Sequence, residues 1–171
     1  MLIIVEGIDR VGKTTLCNML KDKLGFKIYK HKNDNFNYSK MDNDNETDKM
    51  MQLLDLYEQI GSDVNIVFDR FHWSDFVYGI LERNYCISNA LENLKKIESI
   101  YKDEAVIIYV RPVDLKLSSK LHGADLTKYN DLFESVRKGT KCKVIDCTYE
   151  SLEKVIVELE SILGDENGNE Q

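Results

Sequence analysis

Eight residues near the N-terminus hold the densest chemistry in this chain. Gly7-Ile8-Asp9-Arg10-Val11-Gly12-Lys13-Thr14 matches the spacing G-x-x-x-x-G-K-[ST], and Thr15 follows directly. The glycines let the backbone turn tightly, so its N–H groups converge on phosphate oxygens. A helix opening at Lys13 aims the positive end of its dipole at the same anion. Lys13 would reach the β- and γ-phosphates of a bound nucleotide, and the Thr14 hydroxyl would ligate Mg²⁺. ATP and Mg²⁺ are therefore expected. Arg10 is either a guanidinium that stabilises charge on a transferring phosphoryl group or a solvated side chain.

A second group lies at Asp69-Arg70-Phe71-His72-Trp73-Ser74-Asp75-Phe76-Val77-Tyr78. A carboxylate at the tip of a buried strand near a phosphate loop can hold Mg²⁺, so Asp69 joins Thr14 as a candidate metal ligand. Arg70 can clamp a second phosphate with paired hydrogen bonds. Phe71, Trp73, Phe76 and Phe36 are candidates to stack on a base, with core packing the expectation for at least two of them. His72, among aromatic residues, reads as a structural hydrogen-bonding residue, with acceptor-site contact as the alternative. Lys95-Lys96 and Arg137-Lys138 read as solvated faces.

These groups need elements to hold them. Leu2–Val5 is an apolar, largely β-branched run, as in a strand buried on both faces. From Lys13, Leu16, Leu20 and Leu24 recur on one helical face until Gly25. Further strands are expected at Phe26–Tyr29, Asn65–Asp69, Ala105–Val110 and Cys142–Asp146. Further helices are expected at Met50–Ile60, Trp73–Asn84, Ser88–Lys102, Val113–Lys120, Tyr129–Lys138 and from Leu152 to Leu163. Residues 31–48, rich in Asn, Asp and Lys, are expected to be a long lid-like loop, because they have little apolar surface to offset ordering. Strands alternating with helices imply an α/β fold, a five-stranded parallel sheet covered by helices on both faces. One domain is expected over residues 1–165, with 166–171 a disordered tail.

The chain has 171 residues, 43% hydrophobic and 31% charged, which is the balance of a globular protein. Thirty acidic against 23 basic residues give a net charge of −7, which argues against nucleic acid or an anionic membrane as partner. No apolar run approaches a membrane span, no signal peptide is evident, and a cytoplasmic protein is expected. Cys17, Cys86, Cys142 and Cys147 form no C-x-x-C pair and read as reduced core thiols.

VEGIDRVGKTTL, DRFHWSDFVYG, IIYVRPVDL and KVIDCTYESLEKV together resemble segments of thymidylate kinases and the wider nucleoside monophosphate kinase group. The family patterns are E-G-x-D-x-x-G-K-T-T after a strand, D-R-[YHW]-x-x-S-x-x-A-Y-Q, a strand leading into P-x-x-A-L, and a final strand and helix. The first two are specific. The resemblance spans residues 1 to about 165 and implies a P-loop NTPase-type three-layer sandwich, homodimeric as the family commonly is. It implies transfer of the ATP γ-phosphoryl group to the 5′-phosphate of a deoxynucleotide, dTMP or a close pyrimidine relative, with Lys13, Arg10, Asp69 and Arg70 in catalytic roles. Asp9 would contact the sugar 3′-hydroxyl, Arg70 the acceptor phosphate, and Tyr78 would lie beneath the deoxyribose, with Phe71, Ser74 and Asp75 completing the acceptor site. Arg10 assigns the chain to members whose catalytic arginine sits in the loop, and the lid-like stretch SSKLHGADLTK offers only Lys120, His122 and Lys128.

No general base is required, since an acceptor phosphate is already ionised at pH 7. A deoxynucleoside kinase would need a carboxylate to take a hydroxyl proton. Glu6 or Asp34 could serve, yet the E-P and E-R-S patterns of such kinases are missing. A nucleotide-binding module without turnover is the third reading. The chain also departs from the family. The segment after the second strand lacks proline and arginine, leaving Lys30, Lys32, Lys40 or Arg111 to meet the acceptor phosphate. The helix before Asp69 lacks an arginine, Tyr78-Gly79 replaces Tyr-Gln, and Asp75 stands where Asn, Thr or Ser is frequent near the base edge. Asp75 is either a base contact that accepts N–H groups or an exposed helix residue.

Overall fold

The computed structural model describes residues 1–30, 43–60 and 64–168. Its elements in chain order are β1 (Leu2–Glu6), α1 (Lys13–Leu24), β2 (Lys27–Lys30), α2 (Asn43–Ile60), β3 (Ile66–Asp69), α3 (His72–Glu82) and α4 (Ile87–Tyr101). There follow β4 (Ala105–Arg111), α5 (Leu115–His122), α6 (Thr127–Gly139), β5 (Lys143–Thr148), a 3₁₀ turn (Tyr149–Ser151) and α7 (Leu152–Gly168).

The five strands form one parallel sheet in the order β2-β3-β1-β4-β5. All of β1 and all but the last residue of β4 are buried, as their continuous apolar runs require, whereas the edge strands β2 and β5 keep exposed lysines. Right-handed crossovers assign α1 and α7 to one face and α2, α3, α4 and α6 to the other; α1 packs on α7, and α3 packs on α2, α4 and α6. Chain direction across the sheet reverses at β1, so a crevice opens beyond its C-terminal end. The loop between β1 and α1 occupies that crevice.

Several boundaries differ from the sequence reading. α2 begins at Asn43, inside the stretch expected to be a loop. Asp44 and Glu46 in its first turn suit the helix N-terminus, and Glu46, Thr47 and Met50 are buried, which anchors that turn. The rest of the expected lid-like loop, 31–42, lies outside the described residues, as do Asp34, Phe36, Lys32 and Lys40. α7 continues to Gly168, past the expected domain end at 165, and 169–171 fall outside the description. Cys17, Cys142 and Cys147 are buried, but Cys86 is exposed ahead of α4 and is no core thiol. Among the described residues no helix is long and apolar enough to cross a membrane.

Candidate functional site

The loop between β1 and α1 has the backbone its sequence demands. Gly7 and Gly12 adopt φ of 139° and 99°. A Cβ on Gly7 would lie 2.3 Å from the Val110 carbonyl oxygen, and one on Gly12 would lie 2.5 Å from the Tyr149 ring. Arg10 and Arg70 also take left-handed φ, 65° and 73°. A non-glycine residue held there costs roughly 1–2 kcal/mol, and such strain concentrates at functional sites.

Lys13 is buried, and its ammonium bonds back to the Ile8 carbonyl within the loop. Burial pushes its pKa down to about 8, although Asp69 and Glu6 pull the other way. Thr14 Oγ1 donates to Asp69 Oδ2 at 3.2 Å. A hydroxyl and a carboxylate converging from α1 and β3 are hard oxygen donors, so the residues present fit Mg²⁺. Lys30 Nζ, at the tip of β2, lies 3.4 Å from the same carboxylate oxygen. A cavity of about 330 Å³ gathers Asp9, Arg10, Lys13, Thr14, Thr15, Lys30, Asp69 and Arg70 on its walls.

Glu6 holds the second motif in place. Its carboxylate is fully buried and accepts the backbone N–H groups of Phe71 (2.9 Å), Trp73 (3.0 Å) and Ser74 (3.3 Å), and the Ser74 hydroxyl. The end of β1 thus caps the start of α3, while Arg70 N–H donates to the Val5 carbonyl at 3.0 Å. The turn between them sends the Arg70 guanidinium to the Asp9 carboxylate and over the Tyr78 ring, 5.1 Å from its centroid. Burial raises the Tyr78 phenol pKa, and Arg70 opposes the shift.

The structure therefore brings together Asp9, Arg10, Lys13, Thr14, Thr15, Asp69, Arg70 and Tyr78. It does not bring Phe71 or Ser74 to the cavity wall. Phe71 is stacked on Phe68 with centroids 4.8 Å apart, and Ser74 is tied to Glu6. Trp73 and Phe76 are also buried in the core. Arg111 turns toward Glu134 (3.6 Å) and Asp146 (3.4 Å), so of the described alternatives Lys30 is the one on the cavity wall. Asp75 is no exposed helix residue: it is buried and pairs with Arg83 Nη1 at 2.6 Å. Arg83 escaped the sequence reading because it follows α3, eight positions after Asp75, where no motif marks it. Glu6 was noticed only as a possible base; its capping role needs α3 folded back beside β1. His72 lies within hydrogen-bonding reach of Tyr101 and Glu98, and Trp73 Nε1 and Thr140 Oγ1 donate to the same carboxylate. His72 is structural, as expected.

No family model matches the chain. The SPbeta prophage-derived uncharacterized protein YorR of Bacillus subtilis is 26% identical over 133 residues, covering 77% of this chain and 74% of YorR. The crystal structure of YorR in complex with phosphorylated GDP superposes with a TM-score of 0.75 at 22% identity over the whole of both chains. Deoxyadenosine kinase from M. mycoides, with dCMP and dCDP bound as products, gives a TM-score of 0.55 at 19% identity, covering 95% of this chain and all of that one. Its complex with dATP gives 0.54 at 17%, covering 94% and 100%. The chain shares with these structures a P-loop kinase-like α/β fold.

Proposed function

We propose that the protein is an ATP-dependent nucleotide kinase that transfers the γ-phosphoryl group to the 5′-phosphate of a deoxynucleoside monophosphate. The observation that carries this reading is the cation set around one cavity, with Lys13 and Arg10 on the loop side and Lys30 and Arg70 on the β2–β3 side. Two groups of cations facing one space suit two phosphates, a donor and an acceptor. An oxygen of the acceptor phosphate forms the new bond to the γ-phosphorus as the bond to the bridging β,γ-oxygen breaks, and the electron pair leaves with ADP. Lys13 and Arg10 spread the charge of the transferring group, while Arg70 and Lys30 align the acceptor. Thr14 and Asp69 would hold Mg²⁺, which neutralises the donor phosphates when bound. Glu6 is unavailable as a general base because its oxygens are committed to the start of α3.

Lys30 and Arg70 favour the monophosphate acceptor, since a neutral 5′-hydroxyl carries no charge for two further cations to hold. Asp75 is buried, pairs with Arg83 and is not on the cavity wall, and dTMP is the acceptor that the family resemblance implies. A second reading, a deoxynucleoside kinase acting on a 5′-hydroxyl, is favoured by the fold likeness to deoxyadenosine kinase. The deciding experiment measures ATP-to-ADP conversion with Mg²⁺ against every deoxynucleoside monophosphate and its unphosphorylated nucleoside. Turnover with a monophosphate is expected. Turnover with nucleosides alone transfers the assignment to the second reading, and silence with all of them leaves a binding module. Sedimentation of the same sample tests the homodimer that belongs to this proposal.

A further inference from the structure

We infer that His122, the last residue of α5, is a positioning residue for the acceptor clamp, acting through Asp9. This inference rests on the kinase reading. Its observation is the sharing of one carboxylate: Asp9 Oδ1 takes the Arg70 guanidinium, and Asp9 Oδ2 accepts a hydrogen bond from His122 Nε2 at 3.1 Å. Three elements distant in sequence thus meet on Asp9, namely the phosphate loop, the β3–α3 turn and α5.

The imidazole is held where it can do this. Asp114 caps the start of α5 by accepting from the N–H groups of Lys116 (2.8 Å) and Leu117 (3.1 Å). At the other end Gly123, at φ 80°, closes the helix by donating to the Ser119 carbonyl at 2.9 Å. The Ser119 hydroxyl accepts the Leu126 N–H at 3.0 Å and ties the following turn to the helix. The His122 side chain is about one-third exposed, so its contact with Asp9 contributes little to the core.

Asp9 with a single partner could rotate about its side-chain torsions, and Arg70 would follow it. Two partners on opposite oxygens fix the carboxylate plane. Arg70, already in a left-handed backbone conformation and lying over Tyr78, is then presented to the cavity in one orientation. An incoming anion meets a clamp whose ordering cost has been met by the protein. His122 touches neither the loop lysine nor the Thr14–Asp69 pair, so its effect should fall on the acceptor and spare ATP.

The test is steady-state kinetics of His122→Ala and His122→Gln with the acceptor that the wild-type protein turns over, varying acceptor and ATP separately. The Ala variant is expected to raise acceptor KM about tenfold while ATP KM stays within twofold and Tm is unchanged. Gln, which can donate from nearly the same place, should recover most of the loss. In an Asp9→Ala background, removing His122 should have no further effect, because its partner is already gone. An unchanged acceptor KM in His122→Ala overturns the proposal. So does an equal rise in both KM values with lowered Tm, or full additivity with Asp9→Ala. A wild-type protein silent with every acceptor overturns the kinase reading first and the proposal with it; turnover in the wild type with an indifferent His122→Ala removes the proposal alone.

Discussion

In the proposed reading, the donor side of the cavity comes from one run of chain, residues 7–15, whereas the acceptor side is assembled from β2, the β3–α3 turn, α3 and, through His122, α5. On the donor side local backbone does most of the placing: the loop turns at Gly7 and Gly12, and α1 begins at Lys13, with Thr14 tied to a distant side chain, Asp69. On the acceptor side each group is placed by another side chain. Glu6 holds the start of α3, Asp9 holds Arg70, and Asp69 lies against Lys30. A contiguous site tolerates change elsewhere in the fold. An assembled site transmits it.

The comparison can be broken most directly at the loop. Arg10→Ala should lower the transfer rate by about 10³-fold or more, the range for an arginine that stabilises a phosphoryl transition state, with little change in acceptor KM. Single-turnover rates would check it, and a wild-type rate would return Arg10 to solvent. Arg70→Ala should cost about 10²-fold in kcat/KM, and the loss should appear in the acceptor's KM. Equal losses for ATP and acceptor would erase the division between the two sides.

Glu6 tests how far the acceptor side depends on its supports. Glu6→Ala leaves three backbone N–H groups at the start of α3 without their buried acceptor and should destabilise the fold by about 3–5 kcal/mol. Denaturant unfolding reads that loss. In Glu6→Gln, which keeps one acceptor oxygen, the acceptor KM should rise while ATP binding persists.

The smallest expected effect concerns Lys13 and pH. Its pKa in the folded, nucleotide-free protein is lowered to about 8, below the value near 10.4 of an unfolded chain. Between those values the unfolded chain binds more protons than the native one, so this group makes stability rise with pH across that window. A bound polyphosphate needs the ammonium. ATP affinity should therefore fall about tenfold between pH 7 and pH 9, and calorimetric titration of Lys13→Met should lose that dependence. A flat profile in the wild-type protein would mean that the loop keeps its lysine charged without a nucleotide.

Much of the donor side was legible before folding. The G-x-x-x-x-G-K-T spacing, the apolar strand before it and the leucine periodicity after it all lie within two dozen residues, and local backbone geometry is enough to bring them together. The sheet was legible for the same reason: continuous apolar runs at 2–5 and 105–110 match the central strands β1 and β4. The acceptor side was readable only in part. Asp69 and Arg70 stood out by their motif, but Phe71 and Ser74 looked like substrate contacts, and burial turned both inward. Arg111 was one of four candidate cations for the acceptor phosphate, yet it pairs with Glu134 and Asp146 and is not on the cavity wall. Residues 43–48 looked too polar to order, yet Glu46 and Thr47 are buried in the first turns of α2.

The G-x-x-x-x-G-K-T loop, the parallel α/β order of elements and the place of Asp69-Arg70 at the end of a buried strand could be read from the chain alone. Those follow from spacing and periodicity, which act between residues near one another along the chain. Folding brought Glu6 to the start of α3, Arg83 to Asp75, and both His122 and Arg70 to Asp9. Each of these pairs a residue with one made close by the path of the chain, and the energy of a hydrogen bond depends on where its partner lies in space, which no spacing in the sequence records.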